Sequence, residues 1–196
     1  LVSETDWQVD LSVETVALSE DGSTTIPLHD GWNIISNPYD IDVSWSAVDE
    51  AHDAALQPLW AWAGSYGQSS VFTSARSGQA FYFYNNQGLD ALRIPYTPAE
   101  GTAQSKSGPG TIATIRVRHD SAHSSSVRVG TATGASDGAD SYDYVAPPNR
   151  FAPVSLHLTR SDASEGGRQA RLHREIRAPD QGGHVFSVVL ETTTAA

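Results

Sequence analysis

SGQAFYFYNNQG, residues 77–88, decides how the rest of the chain is read. Ser77-Gly78 and Asn86-Gln87-Gly88 carry turn chemistry, and between them Phe81 and Phe83 alternate with Tyr82 and Tyr84. Successive strand side chains take opposite faces, so one face is apolar aromatic core and the other is amphipathic. A central strand between two turns follows.

The same alternation spreads outward. WQVDLSV at 7–13 places Trp7, Val9, Leu11 and Val13 opposite Gln8, Asp10 and Ser12, a half-buried strand. TTIPL at 24–28 reads as an edge strand, because Pro27 cannot donate to a ladder. HDG at 29–31 is a tight turn, WNIIS at 32–36 a strand, and NPYD at 37–40 its exit. SWSAVDEAHDAAL predicts one short helix over about 45–55, with Ser44 or Ser46 as cap and Asp49 as its box-like partner. LQPLWAW and LDALRIPY return to strand.

Residues 97–110, TPAEGTAQSKSGPG, contain no large apolar side chain and form the best domain boundary. Beyond them lie the strand candidates TIATIRVRH, SSVRVG, APVSLHL, RLHREIR and HVFSVVLET. The expectation is an all-β protein of two antiparallel β-sandwich-like modules, at 1–100 and 106–196. WQVDLSVET at 7–15 aligns faintly with HVFSVVLET at 184–192, so residues 1–18 could be a strand belonging to a neighbouring module or subunit.

Composition narrows the function. A net charge of -11 opposes nucleic-acid binding, and no apolar run of about 18 residues exists to span a membrane as a helix. Cysteine is absent, which removes disulfides and thiolate metal sites. Lys106 is the only lysine. Acidic excess with arginine replacing lysine resembles salt-adapted proteins, although a genome rich in arginine codons gives the same count. The chain starts at Leu1 without a charged-then-apolar leader, which fits a processed exported piece.

Two constellations could carry a ligand. Trp60, Trp62, Tyr66, Tyr82 and Tyr84, with Trp32 and Trp45 nearby, are either core or a ring platform for a glycan. Core packing is the favoured reading. Asp137, Asp140 and Asp143 in SDGADSYD offer hard oxygen donors of the kind Ca2+ takes, but their spacing is not that of an EF-hand loop. Three aspartates in so acidic a chain also make an ordinary solvated turn. No H-E-x-x-H, G-x-S-x-G or phosphate-binding loop occurs, so no catalytic residue is assigned and no enzyme is expected. Within the motif Gly31, Trp32, Asn33, Asn37 and Pro38, the tryptophan and isoleucines are expected in a core, and the asparagines on local backbone. Arg116 and Arg118 are expected on a solvent face, paired with acids across strands.

GWNIISNPYDIDVSWSAV, LQPLWAW and SGQAFYFYNNQGLDALRIPY resemble a GWNxIxNP-type β module of large secreted bacterial surface proteins. VRVGTATGASDGADSYDYVAPP and EIRAPDQGGHVFSVVLET are similar to a second β-sandwich module of such proteins. The resemblance implies type IX secretion, display on the cell surface and a repetitive structural setting. It implies no catalytic residue. The expected function is a structural or adhesive module, pairing strands with other modules or copies of itself; the alternative is a carbohydrate-binding module of a larger secreted protein.

Overall fold

A computed structural model describes residues 16–53, 56–99, 110–121, 123–149, 152–165 and 168–193. In chain order the first half contains β1 (Ser23–Pro27), β2 (Gly31–Ile35), β3 (Val43–Ser44), α1 (Trp45–Glu50), β4 (Leu59–Trp62), β5 (Tyr66–Ser69), β6 (Val71–Phe72), β7 (Phe81–Asn85) and β8 (Ala91–Pro95). A 3-10 turn at Ala75–Ser77 joins β6 to β7. The second half contains β9 (Gly110–Arg118), β10 (Ser124–Ala132), β11 (Tyr144–Val145), β12 (Val154–Glu165), β13 (Arg168–Arg177) and β14 (Ser187–Thr192). The protein is all-β.

The first half forms a four-stranded sheet in the order β2-β7-β4-β5, plus two-stranded pairs β1-β8 and β3-β6. Its register sets Ile35 opposite Phe81 and Asn33 opposite Phe83. Ile35, Phe81, Phe83 and Leu59 share one face and join Val43, Val48, Phe72, Leu92 and Ile94 in a closed core. Pro27 sits at the end of β1, whose sole neighbour among the described residues is β8.

The turn before β2 depends on Gly31, whose φ of 80° suits a residue without Cβ. Asn33 closes it, donating to the carbonyls of His29 (2.8 Å) and Gly31 (3.0 Å) while accepting from the His29 amide at 3.1 Å. Asn37 does the same downstream: its amide donates to Ile41 and Phe72 carbonyls at 2.9 and 2.6 Å, and its carbonyl accepts from Tyr39 N. Pro38 separates these two partners. The Tyr39 hydroxyl then reaches the Ile94 carbonyl at 2.7 Å, tying the exit loop to β8.

The helix is shorter than its sequence suggests and ends at Glu50. Ser44 makes no side-chain cap bond; its Oγ meets Ser46 Oγ, and the Asp49 carboxylate accepts from Leu56 N instead of a first-turn amide. Asp53 takes a positive φ of 57°, which stops the helix.

The second half is one sheet in the order β14-β12-β13-β10-β9, with β11 also paired to β13. One expectation fails here. β10 and β13 run parallel, so the sheet is mixed and not wholly antiparallel. The cause is the long connection through β11 and β12, which returns the chain in the same direction. β12 also packs across β10 and β9, enclosing Val127, Leu156, Leu158, Ala170 and Leu172. Gly110 and Gly130 permit the close β9–β10 approach: a Cβ on either would overlap a carbonyl of the facing strand. The strand expected at 184–192 begins only at Ser187. The segment 7–13 and most of the expected boundary lie outside the described residues. Every first-half strand ends by Pro95 and every strand of the large sheet starts at or after Gly110.

Candidate functional site

The aromatic set proves to be one face of one sheet. Trp32 lies opposite Tyr84, Ile34 opposite Tyr82, Trp60 opposite Tyr82, and Trp62 opposite Tyr66. All stand on the face turned away from the first core. Trp32 therefore sits half-buried on Tyr84 and not in the core, and Ile34 is 67% exposed. Their parity explains it: Asn33 and Ile35 hold the inward positions. Trp45, by contrast, is a core residue beside Phe72 and Phe83.

These rings are not a flat platform. Trp32–Tyr84 is tilted by 52°, Trp62–Tyr66 by 62°, and Tyr66–Tyr82 by 89°. Such edge-to-face stacking favours ring on ring over ring on sugar. Trp60 is 1% exposed, because β13 closes over it and its indole meets His173 at 4.7 Å. Burial pushes the Tyr66 hydroxyl well above the usual tyrosine range. Trp60 thus belongs to the seam between the two halves.

Gln57 fastens that seam. It is 3% exposed, its amide donates to the Asp143 carbonyl and its carbonyl accepts from Val145 N, both at 3.0 Å. No local pattern announces this residue; the partner strand lies far along the chain.

The three aspartates do not converge. Asp137 is exposed, Asp140 accepts from Ser136 N and Tyr142 N, and Asp143 is buried. Asp143 Oδ2 meets Arg160 Nη1 at 3.0 Å while Oδ1 accepts from Ile176 N at 3.1 Å. Burial raises its carboxyl above the usual value, opposed by the Ile176 amide and Arg160. Among the described residues no group of three or more His, Asp or Glu is arranged to hold a metal ion. The guanidinium of Arg160 supplies the positive charge beside Asp143.

That pair opens into a wider buried network. Glu175, fully buried, accepts from Arg177 Nε at 2.8 Å, and Arg160 Nη1 lies 3.8 Å from its Oε1. Arg174 stacks over Tyr144 and Arg177 over Phe186. Buried charges with this many partners fix strand register more than they add stability.

A cleft of about 590 Å³ is lined by residues of both halves. Asp30, Tyr84 and Asn86 line one side; Asp140, Asp143 and Arg160 line the other. Several of its polar groups, including Asn85, Gln57, Asp140 and Asp143, already bond to protein.

Among the described residues the second sheet has no further strand beyond β9 or β14. β9 is exposed along its length except at Val117, with Ile112 and Ile115 39% and 40% exposed. β14 shows Val188 and Leu190 at 39% and 53%. In the β10 register Arg116 faces Ser126 and Arg118 faces Ser124, so among the described residues β10 does not supply the cross-strand acids expected for these arginines. The chain matches no known family model, no curated protein and no solved structure. Among the described residues no helix is long and apolar enough to cross a membrane.

Proposed function

We propose that the chain is a non-catalytic structural module of an exported surface or fibre-forming bacterial protein, associating with other modules or copies of itself through sheet edges. One observation carries this reading: among the described residues the large sheet ends in two strands, β9 and β14, that pair on one side only and keep apolar side chains in solvent. An edge strand offers a row of free amides and carbonyls, and natural proteins normally shorten or block it. A nine-residue edge left open is a surface for strand addition. Surface display and type IX export rest on the resemblance of the GWN and VRVG segments. The test is sedimentation velocity over a wide concentration range. Self-association is expected, and Ile115→Lys with Leu190→Lys should abolish it without lowering the melting temperature. A wild-type chain that stays monomeric throughout sinks the proposal.

A glycan-binding reading keeps one foothold, the cleft where Tyr84 stands near Asp30, Asn86 and Asp140. One ring with neighbouring carboxylate and amide groups is a workable sugar subsite. Glycan-array signal lost on Tyr84→Ala, with folding intact, would favour it.

A further inference from the structure

We infer that the acidic segment Trp7–Val13 of a second copy adds as an antiparallel strand to the free edge of β9. The inference rests on the self-association proposed above and names its donor, its acceptor and its register.

Begin with the acceptor. On β9, Ala113, Ile115 and Val117 alternate with Ile112, Thr114, Arg116 and Arg118. Ile115 lies opposite buried Val127, and Val117 packs on the second core, so this first row extends the core face outward to the edge. The other row ends in two cations, and no ion pair is recorded for either among the described residues. Nothing among the described residues covers the edge. It is therefore apolar on one face and positive on the other.

The donor has the matching pattern. Trp7, Val9, Leu11 and Val13 form one row of LVSETDWQVDLSVET, while Asp6, Gln8, Asp10, Ser12 and Glu14 form the other. Glu4 adds further negative charge, and the segment contains no cation. Set Asp10 against Arg116 in antiparallel sense. Leu11 then falls beside Ile115, Val9 beside Val117 and Val13 beside Ala113, while Gln8 lies beside Arg118 and Ser12 beside Thr114. A shift of one residue would set apolar against charged along the whole row. A shift of two residues keeps both faces matched but moves Asp10 from Arg116 to Arg118 or Thr114, so the Asp10–Arg116 pair marks this register.

The competing edge fits less well. β14 carries Glu191, already held by Arg171 at 2.9 Å, and its own residues Ser187–Thr192 include no cation to meet an acidic strand. Cross-strand pairs of opposite charge and of apolar residues each favour association modestly, so several in register are needed.

The chain has no cysteine, which makes placed thiols unambiguous. Leu11→Cys chains mixed with Ile115→Cys chains, treated with a short thiol cross-linker, should give a covalent heterodimer. Self-association that persists while that heterodimer fails to form overturns the inference and leaves the edge-pairing function standing. So does a cross-link between Ile115→Cys and Leu190→Cys chains in its place, which would mean edge meeting edge. A double variant that closes on itself as a monomer overturns the second-copy donor. A second arm avoids cysteine. Asp10→Arg or Arg116→Asp alone should weaken association about threefold to tenfold, and the two together should recover it. Single reversals without effect overturn the register.

Discussion

The two halves solve the same problem with different materials. The first encloses aromatic and aliphatic side chains in a sealed core and ties its loops with asparagine amides. The second has longer strands around a smaller apolar core and buries Asp143, Arg160, Arg174 and Glu175 within it. Short strands with a full core make a finished surface. Long strands with a thin core and charged spine leave both margins of the sheet open. The contrast teaches that burial and edge exposure are set separately: a half with exposed sheet edges need not be the half with the fuller apolar core.

Substitutions can break this contrast. Phe83→Ala should be the most costly, about 4 kcal/mol, because it leaves a cavity in a core with no open side. Calorimetry of the full chain measures it; a loss below about 1 kcal/mol would mean the first core is loose after all. Glu175→Ala should cost about 3 kcal/mol by leaving the Arg177 guanidinium without its buried carboxylate and Arg160 with Asp143 as its remaining buried counter-charge. Equal stability in the variant would show the charged spine to be dispensable.

Acid should weaken the seam. Burial, then the charges of Arg128 and Arg174, lowers His173 to a pKa of about 4 from its usual 6.5. The unfolded chain therefore binds the proton first. The neutral ring's contribution is complete above about pH 6.5 and is lost as pH falls towards 4, about 3 kcal/mol in all. His157, lowered chiefly by burial, acts in the same direction. Asp143, raised by burial, opposes them because its ionisation costs stability as pH rises. His173→Phe should flatten the fall in melting temperature between pH 6.5 and 4; an unchanged slope would acquit the histidine.

Two smaller effects complete the series. Asn37→Ala should cost about 2 kcal/mol, since two backbone carbonyls and one amide lose their partner at once. Arg76→Ala should change chemical denaturation midpoints by less than about 0.5 kcal/mol in free energy, because its pair with Asp40 lies in solvent.

Alternation made much of the strand content legible. Phe81 and Phe83 face the core and Tyr82 and Tyr84 oppose them, as period two requires. The same rule does not say what lies beyond the second face. Trp60 and Tyr82 look wet or dry depending on whether another sheet arrives, and β13 does arrive over Trp60. Pairing partners were hidden for a related reason. A strand's composition records burial, whereas the parallel β10–β13 contact depends on where a distant return segment lands. Arg160 and Glu175 read as ordinary polar positions of a half-wet strand, yet each finds counter-charge brought by another segment. Asp143 was the least legible, because a carboxylate beside a cation looks alike in sequence whether the cation is a metal or a guanidinium.

One feature of the first half carries a mechanical consequence. β1 and β8 bring Ser23 beside Pro95, so the chain enters and leaves this half at neighbouring points. Tension drawn through residues 23–95 would load that ladder one rung after another, starting at Ser23–Pro95, as a zip opens from its end. The sealed aromatic core behind it would give way only afterwards. Under such a pull the β1–β8 pair is thus the fuse, yielding early and re-forming when the pull relaxes.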